Sequence, residues 1–190
     1  MNQKNDTSES GLSLIETIVA IAVLSLGLFG GIMLAQYSIT VMKYSRNLFE
    51  AKEFSQEGIE LVRAKRDTNW LEGNKWDTGL AQGYYVARFS AIGKRMELVP
   101  ILPGSAFSET NLEATLGDAT RIFHDTRNVS MPFFTQDSSL GVDATTYYRQ
   151  IEIVDDPVIS DKKIVRSDVV FPYKGSYRVV DLEEEIYNWK

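Results

Sequence analysis

The sequence predicts an α+β fold, with one long N-terminal helix packed against an antiparallel β-sheet. Three observations predict it. The run from Leu12 to Thr40 is almost wholly apolar or small and carries no charge from Thr17 to Val41. Apolar residues then recur every three or four positions among charged neighbours. Beyond Asp67 the texture changes to short Val-, Ile-, Tyr- and Phe-rich segments divided by Gly, Asn and Asp.

Composition narrows the function. The chain has 190 residues, room for one domain of ordinary size, and a net charge of −6. An acidic chain lacks the dense basic surface that non-specific nucleic-acid binding needs, so no nucleic-acid partner is expected. With no cysteine there is no disulfide framework, thiolate zinc site or Cys nucleophile. With one histidine, His124, a multi-histidine metal site is excluded and any Ser-His-Asp triad would depend on that residue. No G-x-S-x-G nucleophile motif accompanies it. No enzymatic activity and no cofactor are expected.

The first eleven residues, MNQKNDTSESG, are polar, and the apolar run begins abruptly after them. A bilayer-spanning helix needs about 20 apolar residues, so 12–41 is long enough to cross. A secretory signal has an apolar region of only about 7–15 residues ending at a small-residue cleavage site. The exit Ala35-Gln36-Tyr37 does not supply one. A plain membrane anchor explains the length but not Glu16. A carboxylate in a membrane helix costs roughly 2.5–3.5 kcal/mol when central and less near the edge. Either it sits at the headgroup boundary or it has a cationic partner.

Gly11-Leu12-Ser13-Leu14-Ile15-Glu16 resembles the cleavage and N-methylation motif of type IV prepilins and pseudopilins. The resemblance combines a short polar leader, the glycine, the spaced glutamate and the apolar helix directly after. It implies cleavage between Gly11 and Leu12 by a prepilin peptidase and methylation of the new amine at Leu12. Residues 1–11 would be the leader. Glu16 would be the family glutamate, neutralising the amine of a neighbouring subunit and setting axial register. The implied partners are other pilin subunits, the peptidase, the pilus assembly machinery and the lipid bilayer. The implied place is the cytoplasmic membrane as a single-pass precursor with its C-terminal domain outside, then a cell-surface filament or the periplasm after assembly. Leu12 stands where the family favours phenylalanine. The leader sets Lys4 against Asp6 and Glu9, and Lys43 and Arg46 follow the span, so orientation comes from the resemblance and not from the positive-inside rule.

After Gln36 the stripe runs Tyr37, Val41, Tyr44, Leu48 and Ala51, weakens at Ser55 and Gly58, and resumes at Val62. Its period is close to a heptad. Arg46–Glu50 and Glu60–Arg63 are opposite-charge pairs at helical spacing. Arg63-Ala64-Lys65-Arg66 suits a helix C-terminus, with Asp67-Thr68-Asn69 as the exit. The predicted helix, 12–66, is about 80 Å long. Gly27 and Gly31 have the G-x-x-x-G spacing of close helix contacts in lipid, with Gly30 beside them. No proline interrupts 12–66, so these glycines are where the helix would loosen during assembly. The stretch from Glu53 to Trp70 resembles minor pilins more than a major one.

The globular domain is expected over 67–190. Trp70 and Trp76 sit in a turn-rich loop and are expected to seal the seam between helix and sheet. Strands are expected at 83–89 and 96–102, with a hairpin link at 91–94 and Pro100 marking an edge. The segment 104–136 reads as an insertion with a short strand at 121–123. Segments 147–154, 164–173 and 177–187 read as an antiparallel meander turning at Lys174-Gly175. A sheet on the outer half of a long helix is also the fold that the pilin resemblance implies. Asp155, Asp156 and Asp161 form a weak calcium candidate whose spacing does not match an EF-hand, and a solvated acidic loop is the stronger reading. Asp181, Glu183, Glu184 and Glu185 read as a charged edge. The reading that follows is a pilin-like filament subunit. Its alternative is a non-polymerising, membrane-anchored extracellular binding or adhesion domain.

Overall fold

The computed structural model describes residues 13–90, 95–101, 107, 117, 119–125, 133–140 and 143–188. The chain divides into two units, 1–45 and 46–190, and helix α1, Leu14–Leu71, contributes to both. It is a long helix with an antiparallel sheet packed on its second half, the α+β arrangement expected from the sequence.

Seven strands make the sheet: β1 Gly83–Ser90, β2 Arg95–Ile101, β3 Arg121–Asp125, β4 Phe133–Thr135, β5 Asp143–Asp155, β6 Lys162–Tyr173 and β7 Ser176–Tyr187. All pairings are antiparallel. The meander β5-β6-β7 is present. Its last turn places Lys174 and Gly175 at φ 50° and 78°. Two consecutive left-handed residues make the tight hairpin turn that follows strand twist. β2 lies at an edge, as Pro100 indicated. The link 91–94 lies outside the described residues, as does most of 104–118.

β5 is the branch point. One long edge pairs with β6, while the other pairs with β1 through Ile151–Ile153 and with β3 through Asp143–Tyr148. Gln136 closes the fork. Its side-chain oxygen accepts from the Ala87 amide at 2.9 Å, and its amide nitrogen donates to the carbonyls of Thr120 and Arg149, both at 2.7 Å. A fully paired buried amide of this kind replaces the ladder bonds lost where strands diverge.

The helix segment of this unit buries Ala51, Phe54, Ser55, Gly58, Ile59, Val62, Arg66 and Asn69 against the sheet. Ser55 and Gly58, expected to weaken the stripe, instead lie at the closest approach. Ser55 Oγ donates to the Ser167 carbonyl at 2.6 Å. A Cβ on Gly58 would stand 2.3 Å from Ser167 Oγ and 3.2 Å from Ile151 Cγ1, so only glycine lets the helix lie this close to β6. The main core joins Ile59 and Val62 to Trp76, Leu80, Tyr85, Ile151, Ile153, Val165 and Ile186, with Trp70 packed at its margin. Both tryptophans thus seal the seam.

The expected exit at 67–69 is a correction. Asp67, Thr68 and Asn69 are helical, and α1 ends at Leu71. Asn69 is fully buried, and its side-chain nitrogen donates to the carbonyls of Trp76 and Thr78 at 2.9 and 2.8 Å. Gly73, at φ 73°, ends the helix in the left-handed conformation, with its amide on the Trp70 carbonyl. The basic cluster therefore precedes the last turn. Arg66 is buried, stacked 4.7 Å over Trp70 and paired with Asp67 at 2.8 Å.

Candidate functional site

The first unit offers one chemically distinctive surface, the apolar part of α1. Leu14, Ile15, Ile18, Leu24, Leu28, Phe29 and Leu34 are each more than half exposed. Its most apolar stretch has a mean hydropathy of 2.5 and none of it is buried, so α1 is long and apolar enough to cross a membrane. Left in water, such a surface would collapse or associate, at roughly 25 cal/mol per Å². Its hydroxyls already meet the demand of an apolar medium. Thr17, Ser25 and Thr40 donate to the carbonyls four residues back at 3.2, 2.7 and 2.9 Å. No polar side chain of these three needs water.

Glu16 lies in the first turn of α1, exposed, where a negative charge also complements the helix dipole. It is the one acidic group in that turn. Gly11 and Leu12 lie outside the described residues. A Cβ on Gly27, Gly30 or Gly31 would meet nothing within 4 Å. These glycines leave a shallow face open, and nothing among the described residues fills it.

The acidic loop between β5 and β6 does not gather its carboxylates. Asp155 pairs with Lys163. Asp156 pairs with Lys162 at 2.8 Å and accepts the amides of Val158 and Ile159, also at 2.8 Å. Lys162 first, then those amides, hold the Asp156 carboxyl down to about 2. Asp161 uses its carbonyl to accept the Asn188 amide. The weak calcium candidate is therefore not assembled, and no cluster of three metal-ligating side chains occurs among the described residues. His124 lies on β3, stacked on Phe134 with ring centroids 4.7 Å apart.

The acidic edge is real and is mostly answered. Glu183 pairs with Arg166 at 2.6 Å, Glu184 with Arg63, and Glu185 with Lys162 at 2.9 Å. Asp181 instead faces Asp168 across the β6–β7 ladder. Burial, then the charges of Asp181 and Glu152, push the Asp168 carboxyl up to about 6. The sign follows directly. The folded state holds this proton more tightly than the unfolded chain, whose Asp titrates near 3.9. The stabilisation is full below about pH 4 and is lost as pH rises through 6. Asp168→Asn should therefore equal the parent at pH 4 and exceed it at pH 7, by on the order of 1 kcal/mol once solvent screening is allowed for. Urea titrations of the detergent-solubilised full chain at both pH values measure this. An equal difference at the two values would refute it. Sequence alone could not single out Asp168, because the register that sets it opposite Asp181 is a long-range property.

No protein-family model matches the chain, and no curated protein and no solved structure matches it either.

Proposed function

We propose that this chain is a structural subunit of a type IV pilus or pseudopilus. One observation carries the proposal: an uncovered, membrane-length apolar helix bears a single carboxylate, Glu16, in its first turn, five residues after Gly11. A solitary anchor gains from that carboxylate only the small helix-dipole contribution, about 0.3–1 kcal/mol. A subunit that buries it against a neighbour's amine gains an ion pair as well. In this reading the precursor sits in the cytoplasmic membrane with its β-domain outside. Prepilin peptidase cuts between Gly11 and Leu12 and methylates Leu12. The assembly machinery then moves the apolar helix from lipid into a filament core, where Gly27 and Gly31 let helices approach. The chain is a substrate of processing enzymes and performs no catalysis itself.

Mass spectrometry of the protein from its native membrane and filament fractions tests the processing step. The expected mature chain begins at Leu12 and carries one additional methyl group on its N-terminal peptide. Retention of residues 1–11 in filament-competent cells would overturn the proposal in favour of a non-polymerising anchored binding domain.

A further inference from the structure

Two edge strands of the sheet, β2 and β7, carry complementary chemistry. Among the described residues β2 pairs only with β1, and β7 only with β6. Beside β2 runs a groove of about 430 Å³, walled by Leu61, Ala64, Lys65 and Thr68 of α1 and by Met96 and Leu98 of β2. Its wall also carries Arg95 and Glu97, and Lys65 meets no carboxylate among the described residues. Arg95, at the start of β2, pairs among the described residues only with Glu97, at 3.3 Å, and both side chains are exposed. The β7 edge carries Asp181, Glu183, Glu184 and Glu185; the three glutamates share Arg166, Arg63 and Lys162 within the domain, and Asp181 meets no cation among the described residues. Between these acids Leu182 is 39% exposed. It is paired with the buried Ser167, so it belongs to the helix-facing side of the sheet, the side on which the groove opens.

The strand directions suit a repeating contact. The steps β7 to β6, β6 to β5, β5 to β1 and β1 to β2 are all antiparallel, so β7 and β2 run parallel to each other. Copies related by rotation and rise, all of one polarity, present β7 of one beside β2 of the next with matching faces. Such a contact is heterologous and propagates. The acids of β7 repel a second β7, which selects the opposite edge as partner.

We propose that the β7 edge of one copy seats against the α1–β2 groove of a second copy, with Leu182 entering the groove and the acidic edge facing Lys65 and Arg95. The inference rests on the filament reading and names the surface through which neighbouring β-domains meet. It also requires that copies of this chain be adjacent, which a subunit present once per filament would not satisfy.

The absence of cysteine makes the test clean. In one chain Met96 and Leu182 are separated by four strand spacings, about 19 Å, beyond the roughly 7 Å Cα separation that a disulfide spans. Any disulfide in the full-length Met96→Cys/Leu182→Cys variant therefore joins two chains. Filaments sheared from cells and oxidised should give dimers and a higher ladder, while each single variant stays monomeric. Adding Lys65→Glu should abolish the ladder, and adding Lys65→Arg should keep it. Arg95→Cys/Asp181→Cys, at two exposed positions, is the second pair if the first destabilises the domain, with trypsin resistance as the check on folding. Folded variants that enter filaments yet remain monomeric would overturn the contact and leave the filament reading standing. Linking of Leu182→Cys alone would also overturn it, by placing β7 against β7. A chain that never enters filaments and stays monomeric in the membrane would overturn both.

Discussion

Glu16→Ala is expected to insert in the membrane and be processed normally, yet to be nearly absent from filaments. The alanine removes no packing, because the first turn of α1 is exposed. Its insertion should improve slightly, since the charge is a cost in lipid. Under the proposed assembly, the loss appears only when the helix leaves lipid and the amine of a neighbouring subunit is buried without its carboxylate. Removing one partner of a buried pair costs about 3–5 kcal/mol. Even 1.4 kcal/mol at this step is about tenfold in the assembly equilibrium. Glu16→Gln keeps the shape and loses the charge, so it should fail nearly as badly. Immunoblots of membrane and sheared-filament fractions read both variants. Normal incorporation of Glu16→Gln would show that charge pairing does not set the register, and the proposed role of Glu16 would fall with it.

The parts of the fold that depend on local pattern were legible, and those that depend on distant partners were not. A charge-free apolar run of this length admits few structures, and the Lys174-Gly175 turn marks its hairpin by residue type. The end of α1 misleads for a definite reason. Asp67-Thr68-Asn69 has exit composition, but the Asn69 side chain finds the Trp76 and Thr78 carbonyls of the loop just beyond, and the helix runs on to Leu71. Ser55 and Gly58 looked like breaks in a stripe because side-chain size was read as contact strength. The surface opposite them decides the matter, and Ser167 leaves room only for small residues. β4 and the forking of β5 have no periodic signal at all. They depend on Gln136 bridging strands that are far apart in sequence. The proposed assembly residues Glu16, Gly27 and Gly31 are named from spacing alone. The proposal sets their partners on other molecules, which no single chain displays.

Arg149 gives the second large expected effect, and it lies with the partner of the charge. Its side chain is fully buried. Nη1 donates to the Phe54 carbonyl at 3.0 Å and to Glu57 Oε2 at 2.7 Å, Nε donates to Gln136 Oε1 at 3.3 Å, and Nη2 has no partner among the described residues. Glu57 is 37% exposed. Glu57→Ala therefore strands a guanidinium inside the domain, and is expected to cost about 3–5 kcal/mol. That is a large share of the roughly 5–15 kcal/mol that holds a domain folded. Arg149→Met should do far less harm. The released Glu57 carboxylate can turn to water. The Phe54 carbonyl keeps its helix ladder bond, and Gln136 Oε1 keeps the Ala87 amide. Every group left behind stays satisfied, and an apolar side chain of similar reach replaces a charge that is expensive to bury, so the expected loss is below about 1.5 kcal/mol. Urea titration of the solubilised full chain, followed by tryptophan fluorescence at Trp70 and Trp76, separates the two. Equal losses would mean that the ion pair itself carries the stability. The expected asymmetry would mean that it is tolerated because both partners are present, and that Arg149 is kept for fixing where the helix lies on the sheet.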